Sequence, residues 1–200
     1  MTTSSVRLLR AGEIIGLPVV TIDGGEDVGE VKDVVYDGTS HRLIGFTLNK
    51  RGWFRGTLTD VLNVAQIAAI GGDAVMVNSD ADLAAPVAAA EASALEGEGH
   101  DVIGTDVITT DGTILGVVSG VIVSAGERPA AVGYELTDDA GASVFVPISA
   151  QLALSGDNLV VPSEMTPFVR HDLAGFGASV SEFRAILGQG TDVDTEGRTI

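Results

Sequence analysis

Short apolar segments separated by glycine- and aspartate-rich turns make up most of this chain. Residues 28–36 and 42–49 place apolar side chains at roughly every second position, the period of a half-buried β-strand. A turn at residues 23–25 precedes the first of them, and its Asp-Gly-Gly sequence tolerates the backbone angles of tight hairpins. Short strands joined by such turns predict an all-β fold, a small barrel or sandwich.

The strand-and-turn pattern occurs twice. Gly16 in the first copy matches Gly104 in the second, and Gly29 matches Gly116 after one extra residue in the first copy's turn. Repetition of this kind indicates a duplicated structural unit. We therefore predict two tandem small β-barrels of the same topology. Gly29, inside a predicted strand, indicates a β-bulge or a close approach of neighbouring backbone.

The duplication divides the chain into four segments. Residues 1–79 are predicted to form the first barrel, and residues 100–163 the second. Between them lies an alanine-, glycine- and glutamate-rich linker, residues 80–99. Residues 164–200 form a C-terminal tail. Closing each sheet into a barrel would also remove the exposed strand edges that invite aggregation.

The tail carries the pattern of a short helix. Ser179 followed by Glu182 fits a capping box, so the helix is predicted to begin there. Its apolar face consists of Val180, Phe183 and Leu187. The tail also contains three of the chain's six phenylalanines, which need burial. They are expected to pack back on a barrel; exchange with a second protomer, giving a homodimer, is the alternative.

Composition narrows the classes of function. The 200 residues include 28 Asp and Glu against 11 Lys and Arg, a formal net charge of −17. Such a surface repels phosphate groups, so direct binding of nucleic acid or anionic membrane is disfavoured. Cysteine is absent, which excludes disulfides. The sequence shows neither a signal peptide nor an apolar stretch of about 20 residues, so we predict a cytoplasmic protein without membrane insertion.

Residues that could carry out chemistry are sparse. His41, His100 and His171 have no metal-ligand spacing and are predicted to be surface residues in loops. The nucleophile elbow G-x-S-x-G does not occur. We therefore predict that the chain is not an enzyme and requires no cofactor.

One acidic turn is a weak candidate for a metal site. Asp23, Glu26 and Asp27 could hold a hard cation through their carboxylates. The simpler interpretation is a turn that uses Asp for its backbone preference. The second copy has Thr113, Ile114 and Leu115 at the corresponding turn, which disfavours a shared calcium site.

The repeated residues resemble the PRC-barrel family. In the first copy the resemblance is carried by Gly16, Val19, Asp23, Gly24, Val28, Gly29, Val31, Asp33, Val34, Leu43, Gly45, Phe46, Thr47, Leu48, Val64, Gly72, Asp73, Val75 and Val77. The resemblance implies a small β-barrel that docks onto protein surfaces, as in a photosynthetic reaction-centre subunit and a ribosome maturation factor. The membrane helix of the former and the translation-type barrel of the latter are not recognised here, so neither function is expected to transfer directly.

A basic and aromatic loop is the main feature that the second copy does not repeat. It comprises Lys50, Arg51, Trp53, Phe54 and Arg55, so it holds the only tryptophan of the chain and three of its basic residues. The second copy has Asp138 and Asp139 at the corresponding place. Tryptophan beside arginine is typical of interface hot spots, so this loop is the candidate interface. The alternative is that its aromatic side chains fill a barrel mouth or the seam between the copies.

These observations favour a non-enzymatic interaction or scaffold module with a protein partner that the sequence does not identify. Two alternatives stay open. The first is a protein that binds a small molecule or metal ion between the copies, with acidic turns as ligands. The second is an accessory factor in ribosome or RNA processing, as in relatives that carry the PRC-barrel.

Overall fold

The computed structural model describes residues 7–49, 61–79, 102–155 and 158–189. Each copy forms one sheet. The first sheet consists of β2 (Pro18–Thr21), β3 (Asp27–Asp37), β4 (Arg42–Asn49), β5 (Val61–Asn63), β6 (Ile67–Ile70) and β7 (Val75–Val77). The second consists of β8 (Asp106–Thr109), β9 (Ile114–Ser124), β10 (Ala130–Thr137), β11 (Ser143–Pro147), β12 (Ala153–Ser155) and β13 (Asn158–Val161).

Strand β1 (Leu8–Arg10) precedes the first copy in sequence but adds a seventh strand to the second sheet, next to β9. The short helix α1 (Ala11–Ile14) follows β1, and a 3₁₀ turn (Val64–Gln66) joins β5 to β6. A 3₁₀ segment (Ser163–Phe168) and the helix α2 (Leu173–Gln189) follow the second.

The two sheets have the same topology. Their strand orders are β5-β4-β3-β2-β7-β6 and β11-β10-β9-β8-β13-β12. In each, the first strand pairs in parallel with the last strand of its copy, β2 with β7 and β8 with β13, whereas the other pairs are antiparallel. The predicted all-β fold in two tandem units is therefore confirmed. The proposed segment boundaries stay predictions, and the linker at 80–99 lies outside the described residues.

Gly29 and Gly116 occupy equivalent positions beside a β-bulge in the two copies. The register shifts beside Gly29 and beside Gly116, so each first hairpin contains the β-bulge expected from the sequence. A Cβ added at Gly116 would lie 2.5 Å from the Thr137 carbonyl oxygen, and one added at Gly29 would lie 3.3 Å from that of Asn49. A side chain at Gly116 would therefore clash with β10, whereas one at Gly29 would need β4 to move by a few tenths of an ångström.

A second pair of glycines fixes the entry into each sheet. Gly16 and Gly104 have φ angles of 85° and 86°, in the left-handed region that favours glycine. Each N–H donates a 2.8 Å hydrogen bond to the long strand of its own copy, to the carbonyls of Val31 and Val118. This geometry explains why both glycines recur in the sequence.

Apolar side chains of each sheet enclose a core of their own. Val19 and Phe46 are fully buried in the first core, and the matching Val107 and Tyr134 are fully buried in the second. The side chains that the alternating pattern predicts to point inward are therefore the buried ones. Burying several such side chains stabilises each copy by roughly 1.5–3 kcal/mol per residue relative to exposure.

Helix α2 begins earlier than the sequence predicted. Its first residue is Leu173, and the Asp172 carboxylate accepts a 2.7 Å hydrogen bond from the N–H of Gly175, as a helix cap does. Ser179 is therefore not the cap. It lies in the middle of the helix and is buried, and its hydroxyl has no hydrogen-bond partner in the described part of the chain.

The tail phenylalanines pack back on the second sheet, as expected. Phe176 contacts Phe145 with ring centroids 5.7 Å apart, in a cluster with Ile122 and Val132 on the sheet face opposite its core. Phe183 stacks edge-on against Phe168 at 5.2 Å. Helix α2 thus covers the outer face of the second copy.

Candidate functional site

The N-terminal strand joins the two copies. Although β1 precedes the first copy, it pairs antiparallel with β9 of the second, with Leu9 opposite Val123. Farther along, Ile70 and Gly126 exchange two backbone hydrogen bonds of 3.1 and 3.0 Å. The copies are therefore held together by main-chain pairing as well as by side chains.

Matching residues of the two long strands pack in each other's core. Tyr36, near the end of β3, packs against the core of the second copy. Val123, at the matching position of β9, belongs to the core of the first copy. Ala125 and Ala131 pack there as well. The contact between the copies is thus reciprocal, as in a two-fold symmetric dimer.

A polar group made by three residues lies within this contact. Tyr36 and His41 come from the first copy and Tyr134 from the second. The two tyrosine hydroxyls are hydrogen-bonded to each other, and His41 Nδ1 lies 2.6 Å from the Tyr134 hydroxyl and 3.4 Å from that of Tyr36. The rings of Tyr36 and Tyr134 meet edge to face, with centroids 5.9 Å apart. Paired polar atoms at a buried contact favour one relative orientation of the two copies.

Burial shifts the acid–base behaviour of this group. It lowers the pKa of His41, although a hydrogen bond to the Leu152 backbone and the charge of Asp37 oppose the change. It raises the pKa of Tyr36, and the Tyr134 hydroxyl adds to that effect. Burial likewise raises the pKa of Tyr134. All three side chains are therefore neutral near pH 7 and act as hydrogen-bonding groups rather than charges.

The sequence prediction for His41 is wrong. The residue was assigned to a surface loop, but its side chain is buried against Tyr134. Its backbone adopts a positive φ of 55°, immediately before β4 begins. One signal was available: the second copy has tyrosine at 134 where the first has Phe46, and a buried hydroxyl needs a partner. By contrast His171 is exposed as predicted, and His100 lies outside the described residues.

An ion pair also crosses between the copies. Arg10 of β1 donates two hydrogen bonds, of 2.7 and 3.0 Å, to the carboxylate of Glu135 on β10. Its guanidinium carbon lies 5.6 Å from the centre of the Phe145 ring. Burial opposes ionisation of Glu135, but the bonds from Arg10 and Ser143 and the charge of Arg10 outweigh it, so the pKa of Glu135 is lowered. Two-point pairing fixes β1 against the second sheet.

The acidic turn of the first copy is organised by a threonine. The buried Thr21 hydroxyl accepts a hydrogen bond of 3.1 Å from the Glu26 N–H. Asp23, Glu26 and Asp27 are all exposed. Among the residues that the structure describes, no three His, Cys, Asp or Glu side chains come close enough together to hold a metal ion. In the second copy, Thr109 organises the matching turn in the same way.

An apolar surface on the second copy distinguishes it from the first. We call it the Ile114 face, and it consists of Ile114 and Val117 on β9. Their side chains are 62% and 39% exposed. Ile103 is 48% exposed as well, but its counterpart in the first copy, Ile15, is 47% exposed and does not distinguish the copies. In the first copy the positions of Ile114 and Val117 hold Asp27 and Glu30.

The candidate interface loop, with Lys50, Arg51, Trp53, Phe54 and Arg55, lies outside the described residues, so its role stays a prediction. Within the described ranges, no helix combines the length and apolar character needed to cross a membrane.

Comparison with known protein families identifies the duplicated unit. The model of the PRC-barrel domain matches residues 7–84 and again residues 96–164, together more than half of the chain. The first match includes β1, which pairs with a strand of the second. A search of curated proteins found no match.

Proposed function

The chain belongs to the PRC-barrel family and carries two copies of its domain, and from this we propose that it is a non-enzymatic protein-interaction module. In this proposal the two barrels act as one scaffold, and the exposed surface of the second copy contacts a protein partner. The observation that carries the proposal is the difference between the copies at matching exposed positions. Ile114 and Val117 replace Asp27 and Glu30 on the same strand of the same fold.

The reciprocal packing supports the scaffold part of the proposal. Because Val123 lies in the core of the first copy and Tyr36 packs against the core of the second, the two barrels cannot rotate freely about a linker. A binding surface on the second copy is therefore held in a fixed orientation to the first. Fixed surfaces bind with less loss of conformational entropy than surfaces that must be ordered on binding.

Tyr36, His41 and Tyr134 form the only cluster of tyrosine and histidine side chains among the described residues. Their burial supports a structural rather than a catalytic role. Their hydroxyl and ring-nitrogen atoms hydrogen-bond with one another. A catalytic acid or base must reach a substrate proton within hydrogen-bond distance. We therefore propose that this group holds the copies together.

A cytoplasmic location, expected from the sequence, is part of the same proposal.

The test is affinity capture from the source cells with the whole chain as bait, followed by mass spectrometry. The Ile114→Asp variant carries into the second copy the residue that the first copy has there. Ile22→Asp is the matched control, because Ile22 is 58% exposed on the first copy. The proposal predicts a protein that the wild type and Ile22→Asp recover and that Ile114→Asp loses. Recovery of no specific protein by the wild type would contradict it.

A further inference from the structure

We propose that the partner binds the Ile114 face with apolar side chains flanked by lysine and arginine. This inference rests on the proposed interaction function and adds the location and chemistry of the contact. The occupant is a basic segment or surface of another protein rather than a second copy of this chain.

The fold itself does not require apolar residues on the Ile114 face. Val117 lies opposite Asp106 in the β8–β9 pair, and Glu30 lies opposite Pro18 in the matching β2–β3 pair. The backbone pairing is the same with a valine or with a glutamate at this position. Exposed apolar side chains that packing does not demand are expected where a partner covers them. The first copy therefore serves as an internal comparison for the second.

The rim of the Ile114 face is acidic. Asp106 is exposed on the strand beside Val117. On the other side, Thr137 pairs with Val117 and leads into the turn that contains Asp138 and the exposed Asp139. Asp111 lies on the turn that precedes Ile114, and the hydrogen bond from Thr109 lowers the pKa of its carboxylate. The formal negative charges of these carboxylates favour a positively charged partner.

The second copy itself supplies little positive charge to this face. Between residues 102 and 161 the sequence contains a single Lys or Arg, Arg128. It follows the C-terminal end of β9, whereas Ile114 begins that strand. An 11-residue strand spans about 35 Å, so Arg128 does not balance the rim. The charge that the second copy itself places around the apolar centre is therefore negative.

The charge of the rim also argues against self-association. A two-fold contact between two Ile114 faces would place Asp106 and Asp139 of each chain near the same residues of the other. Like charges placed together at a contact are repulsive, and the formal net charge of −17 adds repulsion at longer range. Anionic membranes and nucleic acids are disfavoured for the same reason. A basic protein surface matches both the apolar centre and the acidic rim.

The test uses the partner recovered by affinity capture, purified, with binding measured by calorimetry at low and at high salt. Ile114→Asp should weaken binding about tenfold or more, as loss of a central apolar contact does. The pair Asp106→Asn and Asp139→Asn should weaken it several-fold, and added salt should do the same. The control pair Asp27→Asn and Asp73→Asn removes the same charge from exposed positions of the first copy and should have little effect.

The outcomes separate this inference from the proposed function. A partner that Ile114→Asp still binds normally would overturn the inference and the assignment of the contact to the second copy, but would leave the interaction function itself standing. A partner that Ile114→Asp loses, but that ignores both salt and the Asp106 and Asp139 changes, would overturn the basic character. Sedimentation that shows a dimer of the wild type, absent in Ile114→Asp, would overturn it in favour of self-association. Only failure to recover any protein partner counts against the interaction function itself.

Discussion

Tyr36 and Val123 occupy matching positions in the two copies: Val123 is buried in the core of the first copy, and Tyr36 packs against the core of the second. The backbone reinforces this exchange, since β1 pairs with β9 and Ile70 pairs with Gly126. Neither copy therefore completes its packing alone. The duplicated barrels thus form a single structural unit.

Stability should fall on mild acidification because of His41. Burial lowers its folded-state pKa, so the unfolded chain binds a proton more readily, near the ordinary value of 6.5. The contribution of His41 is therefore fully present above about pH 6.5 and declines as the pH falls below it. Urea unfolding between pH 5 and 8 measures this slope. A His41→Gln variant should show a flatter profile, whereas His171→Gln, at an exposed position, should keep the wild-type slope.

Removing the Tyr134 hydroxyl should destabilise the protein by about 1–3 kcal/mol, because His41 and Tyr36 lose a buried hydrogen-bond partner. The phenylalanine ring itself is tolerated at this position of the fold, as Phe46 shows in the first copy. Urea unfolding of Tyr134→Phe provides the measurement. Phe46→Tyr, which buries a new hydroxyl in the first core, is the reciprocal control. An unchanged free energy of unfolding in Tyr134→Phe would show that the polar group contributes nothing to stability.

Substitution of Gly133 should release helix α2 from the second sheet. A Cβ there would lie 2.2 Å from the Phe176 ring and 2.7 Å from the Val146 carbonyl oxygen. Gly133→Ala should therefore cost about 1–3 kcal/mol or more, as overpacking does. Gly177→Ala is the control, because its Cβ would lie 3.6 Å from Leu8 and alanine is the better helix former. Thermal unfolding should show the first variant less stable than wild type and the second no less stable.

Calcium should leave the melting temperature unchanged. Asp23, Glu26 and Asp27 are exposed on a turn that Thr21 already organises through a hydrogen bond. A ligand that binds only the folded state stabilises it by RT ln(1 + L/Kd), where L is the free ligand concentration, so bound calcium would raise the melting temperature. A calcium-dependent rise in melting temperature that Asp23→Asn abolishes would instead support the metal-binding alternative.

Local sequence patterns predicted much of the fold. The glycines at 16 and 104 recur because the left-handed backbone at both positions requires them. Those at 29 and 116 recur because a neighbouring strand passes close to the bulge. These constraints act within one hairpin, so periodicity and turn chemistry are enough to identify them. The duplication supported the predicted topology, because the same pattern of strands and turns had to fit both copies.

Contacts that are distant in sequence escaped prediction. His41 is buried by Tyr134, which is 93 residues away, and no local pattern indicates such a partner. The start of α2 was missed because Gly175 and Gly177 lower helix propensity, whereas packing of Phe176 on the sheet compensates for it. The exposure of Ile114 and Val117 depends on the bulged register of β8 and β9, which the sequence alone did not give.

Hydrogen exchange of the Val123→Ala variant, measured by mass spectrometry, tests the reciprocal packing most directly. Val123 belongs to the sequence of the second copy, but its side chain is buried in the core of the first. Truncation should therefore lower the protection of amides in β2, β3 and β4 by roughly 1–2 kcal/mol, at least as much as in β8 and β10. Loss of protection confined to the second copy, with the first unchanged, would contradict the account of two barrels that complete each other's cores.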